Sequence, residues 1–198
     1  MVKFNINKIY DDIDLSYKFI YNKKLTVDNI NLNYHIFSIF DFYKFLLDKK
    51  NIYLKIKEFI KRFDSLDIFY YLFIKYIEFN NNIHIILITT DDNNNDFIGF
   101  ITVFYDIYKK FSFGEHFLVN PDFRNLGIGT KLLYYYFKFF FKHYKLPFYG
   151  IILKNNIPSI KVVEKLGCVL YDDTHETKKI YYITNKIFKS NKNLKNII

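Results

Sequence analysis

A chain of 198 residues that is 51% hydrophobic and 22% aromatic is long enough to bury one core and too apolar to remain disordered. Its net charge of +9 suits an anion-binding protein, but Phe (24), Tyr (19), Ile, Asn and Lys together are the palette of AT-rich codons, so excess lysine by itself marks no partner. A lone cysteine, Cys168, excludes an intrachain disulfide and suits a reducing, cytoplasmic setting.

Residues 1–28 read as an extension with no role that the sequence assigns, and Met1-Val2-Lys3-Phe4-Asn5 lacks the apolar core of a signal peptide. Leu32 to Ile39 reads as a strand, followed by helices over Asp41 to Asp48, Asn51 to Arg62 and Ser65 to Glu78, the last with Asp64 or Ser65 as its cap. No glycine precedes Gly99, so this half carries little punctuation. From Ile83 the strand pattern is firm. Ile83 to Thr90 is an apolar run, Asp91 to Asp96 a turn cluster, Phe97 to Tyr105 the returning hairpin partner, and Phe111 to Val119 the next strand.

That strand delivers the chain to V-N-P-D-F-R-N-L-G-I-G-T, Val119 to Thr130, and then to a long helix. Arg124-x-x-Gly127-x-Gly129 sets two glycines where a loop becomes a helix. Bare amides there approach anionic oxygens with no Cβ in the way, and the helix end adds roughly half a positive charge. A dinucleotide fold would need a third glycine, where Thr130, Lys131 and Leu132 stand; a Walker loop would need Gly-Lys-Ser/Thr, which is absent. In the helix, Lys131, Lys138, Lys142 and Lys145 share one face, opposite Leu133, Tyr136, Phe137, Phe140 and Tyr144. Lys138, Lys142 and Lys145 interrupt the aromatic stretch Leu132 to Phe148, which falls well short of the roughly twenty apolar residues a membrane span needs.

Phe148 to Leu153 reads as a strand. Asn156-Ile157-Pro158-Ser159 opens a short helix with Pro in its first turn, and Glu164-Lys165-Leu166-Gly167 closes it. Cys168 to Tyr171 and Lys178 to Thr184 form a closing hairpin around Asp172 to Glu176, and the basic tail, residues 185–198, is expected to fray.

The order strand, R-x-x-G-x-G, long helix, strand, N-x-x-S, short helix, K-L-G, hairpin resembles the GNAT superfamily of acetyl-CoA-dependent N-acetyltransferases. The resemblance covers roughly Ile83 to Thr184 and is specific between Val119 and Gly167. It implies a single α/β domain over 1–198, with a mixed, splayed β-sheet flanked by helices, and transfer of an acetyl group from acetyl-CoA to a primary amine by direct attack. On this likeness the amides of Asn125, Leu126, Gly127, Ile128, Gly129 and Thr130 hold the pyrophosphate, with Arg124 shaping the loop and Thr130 adding a hydroxyl. Leu118 and Val119 lie on the strand that pairs with pantetheine, and Asn156 and Ser159 meet the cofactor arm. The family's acid, a tyrosine seven residues after the asparagine, is here Val163.

Glu115 is the expected base, on the strand before the cradle; a family base position falls at Phe113, on the same strand face. Strict alternation puts His116 on the opposite face. Tyr134, Tyr149, Tyr171, Tyr181 and Tyr182 are available hydroxyls, Cys168 is expected to pack, and His35, His84, His143 and His175 have no metal-ligand spacing. The expected partners are acetyl-CoA and an amine acceptor, small molecule or protein, with the chain a monomer or homodimer and no membrane involved. Two other readings stand beside this one. Val163 motivates a non-catalytic acyl-CoA-binding module, and the basic, aromatic composition a nucleic-acid binder, which the scattered lysines disfavour.

Overall fold

Ile83–Thr90 and Phe97–Asp106 are apolar on both faces, so each strand needs cover above and below, and both lie in the middle of a sheet. In the computed structural model the described residues are 18–27, 29–49, 51–52, 54–56, 72, 75, 78–79, 82–90 and 96–197. The strands are β1 (Tyr21–Val27), β2 (Ile30–Phe37), β3 (Ile83–Thr90), β4 (Phe97–Asp106), β5 (Phe111–Val119), β6 (Phe148–Leu153), β7 (Val169–Asp172) and β8 (Lys178–Ile183). They form one sheet in the order β1-β2-β3-β4-β5-β6-β8-β7, antiparallel throughout except for the parallel pair β5 and β6. The sheet is mixed, as expected.

Helix α1 (Ile39–Asp48) packs on one face, where Phe42 and Phe45 join Phe37, Ile85, Leu87, Phe100 and Phe104. Helices α2 (Ile128–His143), α3 (Ile157–Lys165) and α4 (Asn185–Ser190) contribute to the core on the other face, with Tyr34, Ile36, Ile86, Ile101 and Val103. Ser38 caps α1 by accepting from Asp41 N, which ends β2 at Phe37 rather than at Ile39. Part of the segment read as an extension is built into the sheet: Tyr21–Val27 pairs along its length with β2 as an edge strand. Asn51, Ile52 and residues 54–56 are helical; most of the two helices expected over 51–62 and 65–78, with the caps Asp64 and Ser65, and residues 91–95 of the turn cluster lie outside the described residues.

Two expectations are corrected. Helix α2 is not apolar on a single face, and it ends at His143, so Tyr144 and Lys145 lie beyond it. Tyr134, Tyr135, Phe139 and Phe141 are buried along with Leu133, Tyr136, Phe137 and Phe140, because other elements cover the helix on both flanks. Tyr21 and Tyr34 meet Phe139 and Tyr135 with ring centroids 5.5 and 5.9 Å apart. On the other flank Phe188 meets Tyr134, Phe137 and Phe141 at 5.8 to 5.9 Å. Phe188 belongs to the tail that was expected to fray. The tail folds because Thr184 caps α4 and because Phe188 and Ile197 are buried, while Asn191 Nδ2 donates to the Lys165 carbonyl at the end of α3. Among the described residues no helix is long and apolar enough to cross a membrane.

Between α2 and the sheet lies a buried polar cluster. His84 Nδ1 is 3.1 Å from the Tyr136 hydroxyl and Nε2 is 3.5 Å from that of Tyr144, which lies 3.3 Å from the Tyr105 hydroxyl. Burial, with His143 adding to it, pushes the His84 imidazole down from 6.5 to about 3. The folded chain therefore keeps His84 neutral, while the unfolded chain takes up a proton below about 6.5. Stability present above that pH is lost progressively as pH falls toward about 3. In urea titrations between pH 6 and 4, the wild type should lose up to about 1.4 kcal/mol more per pH unit than His84→Gln. Equal slopes would show that His84 does not titrate in this way.

Candidate functional site

Strands β5 and β6 begin side by side and then part. Their pairing runs through Ser112↔Phe148, Phe113↔Tyr149 and Gly114↔Gly150 and ends there. Beyond that point lies a cleft of about 180 Å³, lined by Gly114 and Phe117 of β5, Gly150 and Ile152 of β6, and Asn156, Ser159 and Val163 of the α3 region. The cause of the parting lies in β5. Against β4 its register runs from Thr102↔Glu115 to Phe100↔Leu118, so β5 carries one more residue than its partner across the same stretch. Such a bulge bends its strand and raises the local twist. His116 takes up the extra length at φ +53.

The bulge changes where side chains point. Thr102 lies between Phe100 and Phe104 on the α1 face of β4, and its hydroxyl donates to the Glu115 carbonyl at 3.0 Å. The same oxygen is 3.3 Å from His116 Nδ1. Expected on the face opposite Glu115, His116 instead reaches the side chain that Glu115 itself faces across the ladder, because alternation fails at a bulge. Both are half-buried. A bulge without glycine leaves no mark in the sequence, and Thr102 in a buried strand carried no signal at all.

The loop after β5 is built by side chains that serve the backbone. Asn120 Nδ2 donates to the Phe97 carbonyl at 2.9 Å, and its Oδ1 accepts from Asp122 N to cap the 3-10 turn Pro121–Phe123. Arg124 Nε donates to the Val119 carbonyl at 3.0 Å, tying the loop to the end of the strand. Asn125 and Gly127 stand at φ +65 and +73. Gly127 is the cap residue of α2 and provides no side-chain acceptor. The first intrahelical bond runs from Lys131 N to the Gly127 carbonyl, so the amides of Ile128, Gly129 and Thr130 have no partner within the helix. Ile128 and Thr130 are 1% and 6% exposed, which anchors this turn while Gly127 stays at the surface.

The two glycines have different reasons to be glycine. A Cβ on Gly127 would meet nothing within 4 Å, and only its positive φ disfavours a side chain within the protein. A Cβ on Gly129 would lie 3.1 Å from the Phe117 ring and 3.5 Å from Val119 Cγ2. Gly129 thus lets α2 lie close against β5, where the sequence suggested only room for a ligand.

Asn156, Ser159 and Val163 recur at helical spacing and line the cleft together. Asn156 Oδ1 accepts from Ser159 N at 3.3 Å, so the cap is made, and Asn156 remains exposed. Val163 is 7% exposed at the position where a tyrosine was sought. Of the five tyrosines considered, Tyr134 packs under α4 against Phe188. Tyr181 donates to Glu164 Oε1 at 3.0 Å, and burial with that carboxylate pushes its hydroxyl up to about 12. Tyr149, Tyr171 and Tyr182 gather with ring centroids 5.6 to 6.2 Å apart, and Tyr149 pairs with Phe113 where the cleft begins. Burial pushes the Cys168 thiol up to about 12, which disfavours the nucleophilic thiolate and agrees with a packing role.

The sequence model of the Acetyltransferase (GNAT) family matches residues 50–168. No curated protein matches the sequence. Among solved structures, spermidine N-acetyltransferase from Vibrio cholerae in complex with CoA and spermine is similar at a TM-score of 0.57 and 16% identity, over 80% of this chain and 98% of that one. The Campylobacter jejuni N-acetyltransferase PseH in complex with acetyl coenzyme A gives 0.51 and 19%, over 69% and 91%. An uncharacterized protein from Bacillus halodurans gives 0.60 and 9%, over 91% and 97%.

The two glycines should separate in experiment. Gly129→Val should lower stability by about 2 kcal/mol or more through overpacking against Phe117. Gly127→Ala should cost only about 1 kcal/mol, from its left-handed backbone, yet weaken CoA binding roughly tenfold. Melting curves and calorimetric CoA titrations read the two effects. Full CoA affinity in Gly127→Ala would remove the cradle assignment.

Proposed function

The chain belongs to the GNAT acetyltransferase family, and from that premise we propose that it transfers the acetyl group of acetyl-CoA to the primary amine of an acceptor by direct attack. One observation carries this reading: the parting of β5 from β6 opens a cleft lined on one side by Leu133 of α2 and by Phe117, against which Gly129 of the helix's first turn packs, and on the other by Asn156 and Ser159. The amides from Asn125 to Thr130, with Arg124 holding the loop, suit the pyrophosphate of CoA. Leu118 and Val119 offer strand backbone to the pantetheine arm, and Asn156 keeps an amide NH₂ beyond the oxygen used in its cap. The bound co-substrate supplies an activated thioester carbonyl, and the backbone amides of a strand bent away from its neighbour can stabilise the charge that develops on its oxygen.

An alkylammonium has a pKa near 10.4 and an α-amine one of about 7.7 to 8.0, so a base must take a proton before attack. Glu115 is the proposed acceptor of that proton, half-buried where β5 leaves β6. Val163 offers nothing to the departing thiolate, and this favours a second reading, a non-catalytic acyl-CoA-binding module. Turnover on a panel of amines separates the two, since both bind CoA. The acceptor could be a small molecule or a protein amine.

Glu115→Gln should lower turnover roughly a hundredfold or more at neutral pH with CoA affinity nearly intact, and the loss should shrink as pH rises and neutral amine becomes abundant. Full activity at every pH would refute Glu115 as base. Asn156→Ala should cost about 1 kcal/mol of stability through the lost cap and raise the CoA dissociation constant. Asn156→Ser restores the cap oxygen but not the amide, so its affinity should remain weak while its melting temperature recovers. Recovery of both would reduce Asn156 to a cap.

A further inference from the structure

We propose that the cleft between β5 and β6 is an acyl-chain pocket, so that acyl-CoA donors of about four to six acyl carbons bind there better than acetyl-CoA does. The inference rests on the reading above that CoA binds at this opening, and it adds which acyl group the donor carries.

Two adjacent glycines show where the room is. Gly114 and Gly150 form the last pair between β5 and β6, and both line the cleft. A Cβ on Gly114 would lie 2.8 Å from Phe148 Cζ and 3.2 Å from Ile101 Cδ1, so Gly114 is glycine because its neighbours fill the space. A Cβ on Gly150 would meet nothing within 4 Å. Gly150 lies inside β6 and holds no positive φ, so neither crowding nor its backbone demands glycine. Phe148, Gly150 and Ile152 share one face of β6 by alternation, the face turned to α2 and α3. The missing side chain therefore leaves open space on that face, where the strands part.

The lining decides the chemistry of what fills it. Phe148 and Ile152, with Ile101, Leu133 and Val163, belong to the core beneath α2, each no more than 9% exposed, and all five reach the cleft. Room over a packed core is unusual, because protein interiors hold few voids larger than a water molecule and an apolar void offers water no partner. At about 180 Å³ the cleft exceeds the roughly 150 Å³ in which Leu, Ile and Phe side chains hold a six-carbon guest such as benzene. An acetyl group brings a single methyl and leaves most of that apolar surface uncovered. With part of the volume given to the arm of CoA, a chain of about four to six carbons fits the rest.

Direction follows from α3. Asn156 and Ser159 are the polar side chains of the lining among the described residues, and they stand at the start of the helix, exposed and half-buried. Val163 is one turn further in and buried. A donor that enters past Asn156 and Ser159 keeps its amide-bearing arm along the polar turn and sends its apolar end toward Val163 and Gly150. Polar groups at the mouth and hydrocarbon at the floor are what an alkyl chain on a polar carrier requires.

Calorimetry on the full chain with S-ethyl-, S-butyl- and S-hexyl-CoA tests the pocket apart from turnover, since these thioethers cannot transfer an acyl group. Affinity should rise about threefold with each methylene from ethyl to hexyl, as each leaves water for an apolar lining. Gly150→Val puts a side chain into the open space without a clash, so its melting temperature should stay at or above that of wild type. Its hexyl-to-ethyl affinity ratio should fall about tenfold or more, with Gly150→Ala in between. Equal affinities along the series in wild type would overturn the proposal. So would an unchanged ratio in Gly150→Val, which would show the alkyl chains adhering elsewhere. If wild type binds no CoA, the cofactor assignment fails and the pocket with it. Tight S-hexyl-CoA binding by a protein that transfers no acyl group to any amine overturns the transfer reading alone and leaves the pocket standing.

Discussion

Everything at the site depends on one defect in a ladder: β5 has one residue more than β4 between Leu118 and Glu115. A regular β5 would have no reason to leave β6 after Gly114, and without that parting there would be no cleft. A bulge in a buried sheet disrupts the ladder and strains the backbone, so something must secure it. Here the Thr102 hydroxyl bonds the Glu115 carbonyl, and the apolar sides of β4 and β5 are held by the two cores above and below. The extra residue redirects a side chain as well as the backbone, since it brings His116 to the side of the strand that Thr102 occupies.

The second requirement is a helix end held close to that opening. Helix α2 is covered on nearly every side, which leaves it little freedom to tilt or slide. Phe188 of the tail and Tyr21 of the edge strand close its two flanks, so segments remote in sequence from the cradle help to fix it. Gly129 allows the first turn to approach Phe117 and Val119, and Gly127 allows the chain to turn into the helix without a side-chain cap. The positioning is thus achieved by packing, and what the helix end presents beyond it is backbone amides without intrahelical partners. Arg124 and Asn120, both bonded to main-chain carbonyls, belong to the scaffold of that loop.

Much of this was legible from residues alone. Double-sided apolar runs gave β3 and β4 their central places, and Asn156 with Pro158 announced the start of α3. The turn at Gly127 was legible because glycine at a positive φ is a local demand on the chain, and the alignment of Asn156, Ser159 and Val163 because helical spacing is a local rule. Edge strand β1 was missed for the opposite reason. Its burial alternates, with exposed Asn22, Lys24 and Thr26 between partly and fully buried neighbours, but Lys23 occupies an inward position and blurs that pattern in the sequence, and pairing with β2 fixes it as a strand. The fraying expected of the tail failed because α4 is a single short helix whose stability comes from Phe188 meeting α2, a contact far away in sequence.

By itself the sequence determined the order of elements from Ile83 onward, the loop-to-helix turn at Gly127 and the short helix that Asn156 opens, because each follows from φ preferences, periodicity and caps within a few residues of one another. Tertiary structure alone decided the bulge, and with it where Glu115 and His116 stand, because a register shift belongs to two strands and is written in neither. It also decided that Gly129 serves packing, that the tail covers α2, and that Val163 faces the cleft with no hydroxyl to offer. Each of these is a relation between surfaces distant in the chain, fixed by what fits when the sheet and helices close on one another.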